Sequence, residues 1–387
     1  MSYRVLTRDE HFEATEQKRI LALDGGGLRG LITLGFLQRI ETTLKASHAD
    51  NADFRLCHYF DLIAGTSTGA IIAAALAAGM TVQEVTSHYR KLGKEVFTKD
   101  WFRNGLVQSR YSEDKLIEHL QKVFGKELKL GSPSIKTGLL IVTKRLDTGS
   151  PWPLGNNPKG RYFRAKADDT WISNADYPLW KVIRASTAAP SYFDPEPIVI
   201  AAQQGKKDVV GTFVDGGVSP FNNPSLQALL YATLNGYKVT WKTGADSLLL
   251  VSVGTGASNP SQIPSQIAAL GAVRALTSLM DDCSALVETF MQWVSSSRTA
   301  REIDREIGDL KNDLIAGTPL ITYLRYNVAL SQTEVSRLCP GLSMERIESL
   351  VEMDNSDNMD ALYTIGETAA SEQVKEADFP TIFDLRE

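Results

Sequence analysis

A serine sits at the centre of Gly65-Thr66-Ser67-Thr68-Gly69. The pattern G-x-S-x-G suits a nucleophile when a strand enters it and a helix leaves it. The sharp turn then exposes the hydroxyl, and the small flanking residues admit a substrate. Residues 58–64, HYFDLIA, read as that strand, and an Ala/Ile-rich run to about residue 78 reads as the helix. Such a helix aims its first amides and its positive end at the same spot. A plain structural turn is the competing reading, and the strand–helix context favours the nucleophile.

A serine nucleophile needs a base. The chain has five histidines, His11, His48, His58, His88 and His119, and none lies after residue 119. A chain order of serine, acid and late histidine is therefore excluded. His88 and His119 fall in polar, surface-type helical stretches. A carboxylate is the natural substitute, because an aspartate beside a partly desolvated serine can have a raised pKa and take the proton. Asp215-Gly216-Gly217 closes the apolar run VVGTFVD, a placement like that of Ser67 at the carboxyl edge of a sheet. An ordinary Asp-Gly turn explains the same three residues equally well.

A third strand-to-helix turn is Asp24-Gly25-Gly26-Gly27-Leu28-Arg29-Gly30. Consecutive glycines let backbone amides converge on an anion, which in acyl transfer is the tetrahedral oxyanion. The segment also fits G-x-G-x-x-G, so a dinucleotide-dependent oxidoreductase is the rival. That rival needs an acidic residue ending the next strand, where this chain has Gly65-Thr66-Ser67. Asp24 reads as a brace for the loop rather than a catalyst.

The elements that position these turns alternate. Strands are expected at 18–24, 58–64, 138–145, 160–165, 210–214, 247–253 and 320–328, and a helix at 28–45. This is an α/β fold with a mostly parallel sheet. After about residue 260 the texture turns helical. Ile267, Leu270, Val273, Leu276, Leu279, Leu286, Phe290 and Val294 recur as in one long or broken helix. Ile303, Ile307, Leu310 and Leu314 suggest an amphipathic helix over 299–315. Helices are also expected at 332–338, 343–353 and 357–375. The least structured stretches are 97–111, 146–160 and 203–208. A division at 18–256 and 257–387 follows, the second part a mostly helical extension packed on the first.

Of the 387 residues, 43% are hydrophobic and 22% charged, and the net charge is −5. That balance argues against a dedicated nucleic-acid binder. Cys57, Cys283 and Cys339 lie far apart, form no metal spacing and suit a reducing cytoplasm. No metal or cofactor is expected. The polar N-terminus lacks secretory character, and the most apolar run, 71–80, is far short of the roughly 20 residues that span a bilayer. A soluble, cytoplasmic protein is expected.

DGGGLRG, GTSTG and DGG, in this order and spacing, resemble the patatin-like phospholipase family. ASTAAPSYFDP at 185–195 and NNPS at 222–225 are similar to further stretches of that family. The resemblance covers about residues 18–256, and no motif position departs from the pattern. It implies a three-layer α/β/α fold and a Ser-Asp dyad of Ser67 and Asp215. Gly25, Gly26, Gly27 and Arg29 fall on the oxyanion region, Gly65 and Gly69 flank the nucleophile, and Gly216 and Gly217 complete the DGG motif. It implies hydrolysis of phospholipid or other lipid acyl esters without a cofactor, acting peripherally at the inner membrane surface. The stretches WVSSSRTAREIDREIGDLKND and LITYLRYNVALSQ resemble bacterial patatin-like effectors of cyclic-oligonucleotide anti-phage defence. That second resemblance implies activation by a cyclic dinucleotide such as cyclic GMP-AMP; a homo-oligomer is expected as the state that such a ligand would favour. A lipid hydrolase without nucleotide control and a non-catalytic interaction protein are the other readings.

Overall fold

The computed structural model describes residues 3–386 apart from 15–16, 49–50, 97–105, 167–168, 191, 203–206 and 258–267. Among the described residues nine strands form one mixed sheet. They are β1 (Lys18–Leu23), β2 (Leu62–Thr66), β3 (Gly138–Arg145), β4 (Pro151–Gly155), β5 (Glu196–Ala201), β6 (Val209–Asp215), β7 (Leu248–Val253), β8 (Ser295–Ser296) and β9 (Ile321–Tyr326). The order is β5-β6-β3-β2-β1-β7-β9-β8, with β4 paired to β3. The run from β3 through β8 is parallel, whereas β4 and β6 lie antiparallel to β3, and β5 antiparallel to β6.

The helices are α1 (Arg8–His11), α2 (Gly30–Ser47), α3 (Leu56–Tyr59), α4 (Thr68–Ala77), α5 (Val82–Val96), α6 (Leu106–Phe124), α7 (Leu179–Ser186), α8 (Ser225–Thr233), α9 (Ala268–Trp293), α10 (Gln332–Leu338), α11 (Met344–Ser349) and α12 (Met359–Gln373). They cover the sheet on both faces, and strand alternation decides which residue meets which layer. Leu21, Leu23, Ile63, Leu249 and Val251 pack with α2, α4, α5 and α12. Ile20, Ala22, Leu62, Leu248 and Leu250 pack with α8 and α9. Both faces are dry, which is why Ile20–Leu23, Leu62–Ala64 and Leu248–Val251 read as apolar runs. Each Leu, Ile or Val among them contributes about 1.5–3 kcal/mol when fully buried.

Register brings the two motif turns together. β2 pairs with β3 up to Thr66 opposite Val142, and the next residue of β3, Thr143, stands opposite Asp215. The carboxyl ends of β2 and β6 therefore meet consecutive residues of one strand.

Several expectations need correction. Residues 160–165 form turns, and the strand on that hairpin is β4, within the stretch expected to lack structure. The segment 56–59 is a helical turn, so β2 starts only at Leu62. No helix forms over 299–315. Asp304 Oδ1 accepts from the amides of Glu306 and Ile307, Asp309 Oδ1 accepts from Lys311, and Gly308 and Leu310 have positive φ. Short acidic side chains there bind local amides in place of helical carbonyls. Helix α11 stops at Ser349 because the chain then crosses to the glycine loop, where the Met353 carbonyl accepts from Leu28 N–H at 2.7 Å. The part after residue 256 is joined to the sheet, since β9 lies in it and pairs with β7. Of the stretch 97–111 expected to lack structure, 106–111 are helical in α6; Ile267, 97–105 and 203–206 lie outside the described residues, as do the side chains of Leu270, Val273 and Leu276.

Candidate active site

β2 delivers Ser67 at its carboxyl end, and α4 starts one residue later. The turn between them is tight. A Cβ on Gly65 would lie 2.3 Å from the Gly69 carbonyl oxygen, and one on Gly69 would lie 2.4 Å from that of Leu23. Both flanking positions must be glycine for the helix to start this close to the sheet. Ser67 itself has φ 54° and ψ −128°. A residue with a Cβ is strained there, at a cost of order 1–3 kcal/mol.

A serine at a helix N-cap ordinarily accepts from the second or third amide. Ser67 makes no such bond. Its Oγ donates instead to Asp215 Oδ2 at 2.5 Å, and Gly217 N–H donates to Asp215 Oδ1 at 2.7 Å. Ser67 N–H donates to Ser186 Oγ at 2.9 Å, and Ser186 donates on to the Val142 carbonyl at 2.6 Å. Both members of the pair are nearly dry, Ser67 8% and Asp215 4% exposed. Burial pushes the Asp215 carboxyl up to about 6, although the bonds from Ser67 and Gly217 and the Arg184 cation pull the other way. Such a group is ionised at neutral pH yet basic enough to accept a hydroxyl proton.

The glycine loop runs past this pair. Gly25 N–H donates to the Asn222 carbonyl at 3.2 Å, and Gly26 N–H to Thr68 Oγ1 at 3.3 Å. Gly27 has φ +58°, and Tyr89 OH donates to its carbonyl at 2.5 Å. Asp24 is braced by Arg325 of β9 through two bonds, at 2.9 and 2.6 Å. Arg29 is 2% exposed and lies among Asp24, Tyr192 and Asp281 of α9. Its Nε and Nη1 have no hydrogen-bond partner among the described residues. Two methionines from beyond residue 256 pack against the loops. Met280 Cε would stand 2.9 Å from a Cβ on Gly217, and the Met353 carbonyl 2.3 Å from one on Gly27.

The histidines are elsewhere. His11 bonds Asp61, His48 the Leu44 carbonyl, His58 Tyr3 and His119 Glu95, while His88 meets His119 edge-on. None of these bonds reaches Ser67 or Asp215. Cys57 is buried and its thiol is pushed up to about 12, and all three cysteines are free. No group of three or more His, Cys, Asp or Glu among the described residues could hold a metal ion.

Sequence reasoning did not assign Ser186, Asn222, Tyr89, Thr255 or Arg325. Ser186 and Asn222 lie in the AST and NNP stretches noted above, but short polar side chains carry no local sign of what they will bond across the fold.

The family model for patatin-like phospholipase matches residues 21–229. The chain belongs to the patatin-like phospholipase family. The patatin-like match takes in the glycine loop, Ser67, Asp215 and Asn222, and stops short of Thr255, α9 and Met353. An Escherichia coli (strain TW11681) protein named cGAMP-activated phospholipase is 29% identical over 251 residues, 64% of each chain. A Vibrio cholerae protein of the same name is 31% identical over 230 residues, 57% of this chain and 59% of the relative. An Arabidopsis thaliana protein named probable inactive patatin-like protein 9 is 28% identical over 263 residues, 66% of this chain and 64% of the relative. The chain thus spans less than two thirds of the length of these patatin-like relatives.

Proposed function

We propose that this protein is a serine lipid acyl hydrolase that cleaves acyl esters of membrane phospholipids, with Ser67 as nucleophile and Asp215 as base. The observation that carries this is the 2.5 Å bond from Ser67 Oγ to Asp215 Oδ2, made by a strained serine that gives up its helix cap.

Asp215 takes the hydroxyl proton as Ser67 Oγ attacks the ester carbonyl. The tetrahedral oxyanion lies against the glycine loop, where the Gly26 and Gly27 amides and the α4 N-terminus stabilise it. Collapse breaks the ester C–O bond, and Asp215 returns the proton to the departing alcohol oxygen of the lysolipid. Water then attacks the acyl-serine, gives its proton to Asp215, and the fatty acid leaves as Ser67 recovers its hydrogen. Through both halves the Gly217 amide holds the second Asp215 oxygen, so the base keeps its orientation.

The finer reading is that a cyclic dinucleotide, cyclic GMP-AMP by analogy with the names of the bacterial relatives, activates the enzyme to degrade membrane in anti-phage defence. Support comes from the buried nucleophile: Ser67 is 8% exposed, Met280 packs against the Gly217 turn and Met353 against Gly27 of the glycine loop. An acyl chain reaches Ser67 only if these segments move. A ligand drives that motion by binding the open form more tightly. In this reading residues 18–256 carry the chemistry and 257–387 regulate it. The protein acts peripherally on the inner membrane surface from the cytoplasm, as a homo-oligomer. No helix among the described residues is long and apolar enough to cross a membrane.

The test is fatty-acid release from phospholipid vesicles with and without a panel of cyclic nucleotides, using wild type and Ser67→Ala. Release by wild type only on addition of one nucleotide supports both parts. High release without any nucleotide leaves an ungated hydrolase, and equal release by Ser67→Ala removes the dyad.

A further inference from the structure

The glycine loop can stabilise an oxyanion only if the peptide joining Gly25 to Gly26 faces the right way. In a trans peptide the C=O and N–H point in opposite directions. With glycine on both sides, little steric cost opposes rotation of the plane. Rotated by half a turn, it would present the Gly25 carbonyl oxygen where the Gly26 N–H now points, and repel the oxyanion.

Two side chains from distant parts of the chain hold this peptide. Thr255 Oγ1, just after β7, donates to the Gly25 carbonyl at 3.1 Å. Asn222 Nδ2 donates to the same oxygen at 3.4 Å, and the Asn222 carbonyl accepts from Gly25 N–H at 3.2 Å. With the carbonyl held there, the Gly26 N–H points the opposite way, and the acceptor it meets is Thr68 Oγ1, the residue after the nucleophile. Thr255 and Asn222 are 4% and 6% exposed, so water does not compete for these bonds. Packing supports the arrangement. A Cβ on Gly26 would lie 2.3 Å from Thr255 Oγ1, so glycine at 26 is what lets Thr255 reach across to the Gly25 carbonyl.

We infer that Thr255 and Asn222 are positioning residues that lock the Gly25–Gly26 peptide with its N–H toward the reacting centre. The inference rests on the hydrolase reading above and goes beyond it, since Thr255 lies outside the residues matched by the family model. Neither side chain touches the reacting atoms; each acts through the peptide.

The lock affects the transition state more than the bound substrate, so its loss appears in kcat. Wild type, Thr255→Ala, Thr255→Ser and Asn222→Ala are compared on a short-chain p-nitrophenyl ester, with and without cyclic GMP-AMP. The rate at which a fluorophosphonate labels Ser67 and the thermal midpoint are measured alongside. The expected result is a fall in kcat and in labelling rate of at least about tenfold in Thr255→Ala and Asn222→Ala, with KM little changed. Thr255→Ser keeps the hydroxyl and returns most of the rate. A Thr255→Ala enzyme that matches an active wild type in kcat and labelling overturns the inference. So does a loss confined to KM, or one that serine fails to restore while both Thr255 variants melt with wild type. A wild type that neither labels nor hydrolyses overturns the hydrolase reading itself.

Discussion

Arg325 grips the carboxylate of Asp24 across 301 residues of chain, Nη1 on Oδ1 at 2.9 Å and Nη2 on Oδ2 at 2.6 Å. Asp24 is the residue before the glycine loop, and Arg325 lies on β9, beyond the region that resembles the catalytic family. Glu288 of α9 stands 3.7 Å from Arg325 Nε and also accepts from Arg301 at 2.5 Å. A chain of charges thus joins the loop to the C-terminal region. Removing the cation alone leaves the buried Asp24 charge uncompensated, so Arg325→Met is expected to cost about 3–5 kcal/mol. Asp24→Asn combined with Arg325→Met should recover much of that loss. Denaturant unfolding of the four proteins in the cycle measures it, and simple additivity would show that the pair is not coupled.

Ser67→Ala and Asp215→Asn should each lower ester hydrolysis by about 10²–10⁴-fold, because one removes the nucleophile and the other cannot accept its proton. Fluorophosphonate labelling should vanish in Ser67→Ala, and activity should persist in EDTA. Near-wild-type turnover in either variant would take that residue out of the mechanism.

Protonated Asp215 cannot act as a base. With its carboxyl raised to about 6, kcat/KM on a soluble ester should climb with pH through about 6 and level off above it. A flat profile between pH 5 and 8 would contradict the assignment.

The same shift has a cost in stability. The folded protein holds a proton on Asp215 that the unfolded chain releases near the ordinary carboxylate value. Stability therefore falls as pH rises from that value to about 6 and stays lower above, by on the order of 1–3 kcal/mol. Asp215→Asn carries no such burden. Urea unfolding should find this variant more stable than wild type at pH 8, with the gap closing below about pH 4. A less stable variant at pH 8 would show that the hydrogen bonds of the carboxylate outweigh its desolvation.

Met280 of α9 packs against the Gly217 turn, beside Asp215. Met280→Ala should raise the basal labelling rate of Ser67 by several-fold without altering its final extent. An unchanged rate would show that α9 does not limit access.

The candidate turns of the site were legible in the sequence because each is local. GTSTG between a strand and a helix, DGG closing a strand and DGGGLRG opening a helix are set by strand pattern, helix pattern and the small residues between them. The absence of a late histidine pointed toward a carboxylate, and DGG closing a strand, with the family resemblance, singled out Asp215. Strand register sets Asp215 opposite Thr143, one residue past the partner of Thr66, which no local pattern could show. The misread stretches share a cause. Ile303, Ile307, Leu310 and Leu314 have helical spacing, yet acidic side chains at 304 and 309 bind nearby amides and the chain turns. The partners of the site were hidden for another reason. Ser186 on the Ser67 amide, Thr255 on the Gly25 carbonyl and Arg325 on Asp24 each join residues far apart in sequence. A hydroxyl or guanidinium has no preference for a remote partner until burial removes water as the alternative, and only the folded sheet decides which polar groups are left to satisfy one another.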